Sequence, residues 1–110
     1  MHNFRNLDVW KRSIQLNKIL YLTTNKFPNS EIYGLTSQIR RCSVSISSNI
    51  AEGSSRKSNK DFQRFLEISL GSAFELETQI IIAKEIEFIN EIILVELIEL
   101  ITKIQKKYIG

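Results

Sequence analysis

The sequence predicts an all-α fold, an antiparallel up-and-down four-helix bundle with long central helices. Three observations lead there. Apolar residues recur at alternating steps of three and four through four separate segments. Glycine and proline, 4 and 1 in number, punctuate the chain at only a few places. The 110 residues, 43% apolar and 25% charged, have the size and composition of one ordinary globular domain, residues 1–110.

The first segment runs from about Asp8 to Lys26. Trp10, Ile14, Asn17, Tyr21 and Thr24 form one line, which Leu16, Ile19, Leu20 and Leu22 widen, while Lys11, Arg12, Lys18 and Lys26 lie off it. Phe27-Pro28-Asn29-Ser30 ends it, because proline disfavours a helical residue before it and Asn and Ser favour turns.

The second segment runs from about Ile32 to Glu52. Leu35, Ile39, Cys42, Ile46, Asn49 and Gly53 form a seam of the kind that packs helices in bundles. Cys42-Ser43-Val44-Ser45-Ile46-Ser47 also alternates as a half-buried strand does. The helical spacing continues on both sides of that stretch, so the helix is preferred. Gly53 to Asn59, seven residues without an apolar side chain, is the second turn.

The third segment runs from about Asn59 to Ile86. Ser58 followed by Asp61 resembles a capping box. Phe62, Phe65, Ser69, Ser72, Leu76, Ile80 and Ala83 make its stripe. A continuous helix of this length spans roughly 42 Å. Gly71 in its middle costs about 1 kcal/mol relative to Ala, and beside Ser72 and Ala73 it is expected to mark a close helix crossing.

After a weak turn at Phe88-Ile89-Asn90, the fourth segment runs from about Asn90 to Tyr108. Asn90 is the expected N-cap, and Lys103, Lys106 and Lys107 suit the C-terminal end of the helix dipole. Ile93, Leu97, Leu100, Ile101 and Ile104 form its stripe. Ile92, Leu94, Val95 and Ile98 spread beyond it, so a second covering surface is expected, another copy of the chain being the natural candidate. With 18 Ile but only 3 Ala, these helices depend on packing more than on intrinsic propensity.

Composition narrows the function. The richest apolar stretch, Ile80 to Ile104, is interrupted by five glutamates and cannot span a bilayer. The opening residues lack the apolar core of a secretory signal, and the lone Cys42 has no internal disulfide partner; a reducing cytoplasm is the expected setting. Residues 1–64 hold 11 Lys/Arg against 4 Asp/Glu, and residues 65–110 hold 4 against 8. This split suits an oppositely charged partner or a second copy of the chain.

No metal-ligand motif, phosphate-cradling glycine loop or nucleophile-base pair is present. His2, the sole histidine, is expected in a frayed terminus, and Cys42 is expected to be a buried structural thiol. No catalytic residue, metal or cofactor is assigned. Two polar groups stand out instead. Gln38, Arg41, Ser45, Ser48 and Glu52 step along one side of the second segment, and Arg40 or Arg41 could pair with Glu75 or Glu77 of the third. Asn49, on the seam, needs a partner, for which Glu52 is a candidate. Arg56, Lys57, Lys60 and Arg64 gather just before and within the start of the third helix, where phosphates of RNA or DNA would fit. No exposed aromatic residue is interleaved among them.

Three motifs carry a family resemblance. Phe27-Pro-Asn-Ser-Glu-Ile-Tyr-Gly-Leu35 resembles an FPxxExYGL turn, Gln38 to Gly53 a QIRRAxxSIxxNIAEG helix, and Phe62 to Glu77 an FxRFLxIAxGSxxELE helix. Together they resemble the proteins encoded in intervening sequences of bacterial 23S ribosomal RNA genes, also called S23 ribosomal proteins, from about Phe4 to Tyr108. Cys42 and Ser69 replace alanines usual in the family. The resemblance implies a four-helix bundle assembled as a ring-shaped homopentamer, no known enzymatic activity, and an association with RNA suggested by gene location. It picks out Gln38, Arg40, Arg41, Ser45, Asn49, Glu52, Gly53, Glu75 and Glu77. The resulting expectation is a non-catalytic oligomer that binds RNA or nucleoprotein through Arg56, Lys57, Lys60 and Arg64. The alternative is a structural adaptor ring that recruits a protein partner.

Overall fold

The computed structural model describes residues 2–109, with side chains through Lys107; Met1 and Gly110 of the expected domain lie outside the described residues. Four helices follow one another: α1 (Asp8–Thr24), α2 (Leu35–Ser54), α3 (Asn59–Glu85) and α4 (Glu91–Ile109). Short 3-10 turns at Phe4–Asn6 and Asn29–Glu31 precede α1 and α2. There is no strand among the described residues. The Cys42–Ser47 alternation therefore lies within a helix, as the flanking spacing requires.

Each helix packs on its neighbour in the chain, and α4 closes back onto α1. Long-range pairs give the directions. Cys42 meets Ser72 while Ile46 meets Ser69, so α2 and α3 are antiparallel. Lys107 of α4 lies 3.6 Å from Asp8 of α1, joining one helix end to the opposite end of its neighbour. The bundle is 43 Å long, in keeping with the 27 residues of α3.

The caps explain the boundaries. Ser58 Oγ accepts from the Asp61 amide at 3.1 Å and Asn90 Oδ1 from the Ile93 amide at 2.9 Å, each satisfying a donor that a helix start leaves free. Only the forward half of the Ser58 box forms; the Asp61 carboxylate lies 3.8 Å from Arg64 instead. At the end of α3, Glu87 takes φ 67°. Its amide donates to Lys84 and that of Phe88 to Ala83, a Schellman ending in which glutamate occupies the usual glycine position.

The core joins Leu16 and Leu20 of α1, Ile39, Ile46 and Ile50 of α2, Leu76 and Ile80 of α3, and Leu97, Ile101 and Ile104 of α4. Each such side chain, fully buried, contributes roughly 1.5–3 kcal/mol. The Phe27 and Phe88 rings meet at 5.2 Å, tilted by 53°, at the end where the α1–α2 and α3–α4 connections lie.

Three expectations change. The buried line of α1 is Ser13, Leu16, Leu20 and Thr24; Ile14 and Tyr21 face outward. An isolated apolar spacing defines several overlapping stripes, and packing on two neighbours selects one. Gly71 is exposed and open, with nothing within 4 Å of a hypothetical Cβ; the close crossing is at Gly53, which packs on Phe65. His2 is not frayed: its amide donates to Ser54 at 2.9 Å and its ring lies 4.7 Å from that of Phe62. On α4, Ile92 and Val95 stay exposed, so this chain alone supplies no second cover for them.

Candidate functional site

Two polar regions lie at different places along the α2–α3 pair, the more closely packed half of the bundle. The first is the corner between these helices. Gly53 lets α3 approach α2 closely, which brings the start of α3 beside the end of α2. Arg56, Lys57, Lys60 and Arg64 are thereby gathered around one helix N-terminus, itself favourable to anions. The guanidinium of Arg56 lies 4.8 Å from the centre of the Phe65 ring, and that of Arg64 at 5.5 Å. The half-buried Phe65 is thus an aromatic support beneath two of the four cations, though no exposed ring is interleaved among them in sequence. The spacing of Phe65 one residue after Arg64 held this signal, but its place under Arg56 depends on the turn.

Carboxylates temper the corner. Arg56 pairs with Glu52 at 2.9 Å and Arg64 with Asp61 at 3.8 Å. Both pairs are solvent-exposed and worth about 1 kcal/mol at most. Lys57 and Lys60 form no ion pair with any described residue.

The second region is a groove of about 310 Å³ between α2 and α3. Gln38, Arg41, Cys42 and Ser45 line it from α2, and Ser72, Glu75 and Gln79 from α3. The Ser45 and Ser72 hydroxyls are 3.0 Å apart. Asn49 donates to the Ser45 carbonyl at 2.8 Å and to its hydroxyl at 3.0 Å, so Asn49 is satisfied within its own helix and not by Glu52. The Cys42 thiol donates to the Ser72 carbonyl at 3.0 Å. Burial, reinforced by the Glu75 carboxylate, pushes this thiol up to about 12, so it stays protonated and non-nucleophilic.

The expected pairing of Arg40 or Arg41 with Glu75 or Glu77 does not occur. Arg40 turns towards α1, where its guanidinium donates to Thr24 Oγ1 and Asn25 Oδ1, each at 2.9 Å, and stacks on Tyr21. Glu77 lies on the α4 side and accepts from Gln105 at 2.8 Å. Arg41 and Glu75 share the groove without an ion pair. The residues read as one stripe therefore divide. Gln38, Arg41, Ser45 and Glu75 meet at the groove, with Asn49 alongside, whereas Arg40, Glu52 and Glu77 belong elsewhere.

Gln79 is a groove residue that sequence reasoning missed. It is 7% exposed, and its Oε1 is buried without a hydrogen-bond partner. Its position between the apolar Leu76 and Ile80 offered no signal beyond a polar residue near the buried stripe.

The match to a family of known sequence pattern decides the relationship. The family model described as 23S rRNA-intervening sequence protein matches residues 5–110. The chain belongs to this family. A crystal structure of an S23 ribosomal protein family member of unknown function, from Bacteroides thetaiotaomicron VPI-5482, is similar to it throughout. That structure superposes with a TM-score of 0.83 at 25% identity, covering 92% of this chain and 94% of the other. No curated protein matches. No helix among the described residues is long and apolar enough to cross a membrane.

Proposed function

We propose that this member of the 23S rRNA-intervening sequence family is a non-catalytic, RNA-binding homo-oligomer of the cytoplasm, with Arg56, Lys57, Lys60 and Arg64 meeting the phosphates. The observation that carries the reading is the convergence of these cations, from a loop and a helix, on the N-terminus of the 27-residue α3. Lys57 and Lys60 are the primary phosphate contacts, since neither is held by a carboxylate among the described residues. Arg56 and Arg64 contribute when phosphate competes with their exposed partners. The homopentameric ring implied by the family resemblance multiplies this small cluster into a large positive surface, and avidity compensates for weak single contacts.

Catalysis has no support from the site. Cys42 is held protonated, and His2, the only histidine, lies at the other region beside Phe62.

The test is a filter-binding titration with single-stranded RNA over a range of salt. Affinity is expected to fall with log-log slope about −0.7 for each phosphate neutralised. Replacing Arg56, Lys57, Lys60 and Arg64 by Ala should weaken binding and flatten the slope without altering assembly. Unchanged affinity would remove this corner from the reading. Light scattering that reports a stable 12.8 kDa monomer at micromolar concentration would refute the oligomer.

A second reading, an adaptor ring that recruits a protein, draws on the outward apolar residues Ile92, 70% exposed, and Leu22, 58% exposed. A pull-down that returns the same protein after nuclease treatment favours it over RNA binding.

A further inference from the structure

We propose that the α2–α3 groove binds a small zwitterion of the α-amino-acid class. Three observations converge. The groove, about 310 Å³, has the volume of a compact small-molecule site. Its charges are split across the opening, a guanidinium from Arg41 and a carboxylate from Glu75, and neither makes an ion pair with the other or with any described residue. Its wall includes Gln79, whose buried Oε1 has no partner.

An acceptor buried without a donor is costly and is rare in folded proteins. Here the neighbouring polar groups are already engaged. Ser45 and Ser72 face each other, Asn49 donates to Ser45, and the Cys42 thiol donates to the Ser72 carbonyl. Arg41 and Glu75 are exposed to water, and Glu75 also interacts with the Cys42 thiol, so only the Gln79 oxygen lacks a partner; a ligand that offers an anion to Arg41 and N–H donors to Glu75 and Gln79 would engage all three. Free phosphate supplies only the anion and a metal ion only a cation. A molecule with a carboxylate at one end and an ammonium or guanidinium at the other supplies both. The protonated Cys42 forms no covalent bond with it, so the site binds and does not react. The groove is distinct from the basic corner; Arg41 lies about 20 Å along α2 from Ser54, the helix end that Arg56 follows. The proposal accordingly stands or falls apart from RNA binding.

The experiment is a titration of the full-length ¹⁵N-labelled protein with L-arginine, read in amide and side-chain resonances. Saturable shifts are expected at Gln79, Arg41 and Ser45, with none at Lys57. Agmatine, which lacks the carboxylate, should bind about tenfold more weakly than L-arginine, as should Arg41→Ala and Glu75→Ala with L-arginine. Gln79→Leu removes the unpartnered oxygen, so the fold should be retained with unchanged or higher melting temperature while the response to L-arginine is lost. Non-saturating shifts overturn the proposal, as does equal affinity of the Arg41 and Glu75 variants. Groove shifts that appear on raising protein concentration without ligand also overturn it, since a second copy of the chain then fills the groove.

Discussion

A Cβ built on Gly53 would lie 2.6 Å from the Cβ of Phe65. Phe62 closes the same space, with its Cδ1 at 3.1 Å and its backbone oxygen at 3.3 Å. The Phe62 ring can rotate, but the Phe65 Cβ and the Phe62 oxygen cannot give way without moving α3 itself. Gly53→Ala should therefore lose about 1–2 kcal/mol, the overpacking cost outweighing the gain in helix propensity. Gly71→Ala is the opposite case. Its new methyl meets open space in mid-helix and should add about 1 kcal/mol. Urea denaturation of both variants tests the pair; equal effects would contradict the assigned crossing.

Glu87 holds a left-handed conformation at the end of α3 and places a negative charge at the negative pole of that helix. Both are unfavourable. Glu87→Gly keeps the two Schellman hydrogen bonds and should stabilise the fold by about 1 kcal/mol. A lower thermal midpoint than wild type would show that the Glu87 side chain contributes something its backbone conformation does not reveal.

Cys42 gives a pH signature. Its thiol is raised from 9.0 to about 12, mainly by burial and then by Glu75. The unfolded chain loses this proton near pH 9 while the folded chain keeps it, so the unfolded state binds fewer protons between the two values. Stability contributed by the neutral thiol is complete below pH 9 and declines above it, by at most about 1.4 kcal/mol per pH unit. Cys42→Ala should lack this component. Parallel alkaline stability curves for the two proteins would refute it. In native buffer the thiol should also react slowly with disulfide reagents and rapidly once urea unfolds the chain.

Asn17 is the polar clamp between α1 and α2. Its Nδ2 donates to Ser47 Oγ at 2.9 Å and its Oδ1 accepts from Ser43 Oγ. Ser43 and Ser47 are both buried. Asn17→Leu should cost about 1–3 kcal/mol, because the Ser43 hydroxyl loses its acceptor in a site where water does not readily replace it. The double variant Asn17→Leu, Ser43→Ala should recover part of that loss. A double-mutant cycle with no coupling would remove the clamp from the account.

The legible part of this protein was local. Four helices, the Ser58 and Asn90 caps, and the burial of Ile39, Cys42, Ile46, Leu76, Ile80 and Leu97 followed from the spacing of side chains within one segment. Helix periodicity and capping act over a single turn, and a linear sequence carries that information in full. The motif series also led to the family that matches residues 5–110.

What had to await the packed bundle was the rotation of each helix about its own axis and the reach of its long side chains. Ile14 and Tyr21 belong to an apolar line that local spacing permits, yet α1 turns Ser13, Leu16 and Leu20 inward because it must face α2 and α4 together. Arg40 and Arg41 are adjacent in the chain, yet Arg40 bonds to the end of α1 while Arg41, about 100° further round α2, reaches the α2–α3 groove. Whether Gly53 or Gly71 faces a neighbour, and whether the Gln79 oxygen finds a donor, likewise depends on surfaces brought together from distant segments. Such relations arise from simultaneous contact among several helices, so no one segment contains them.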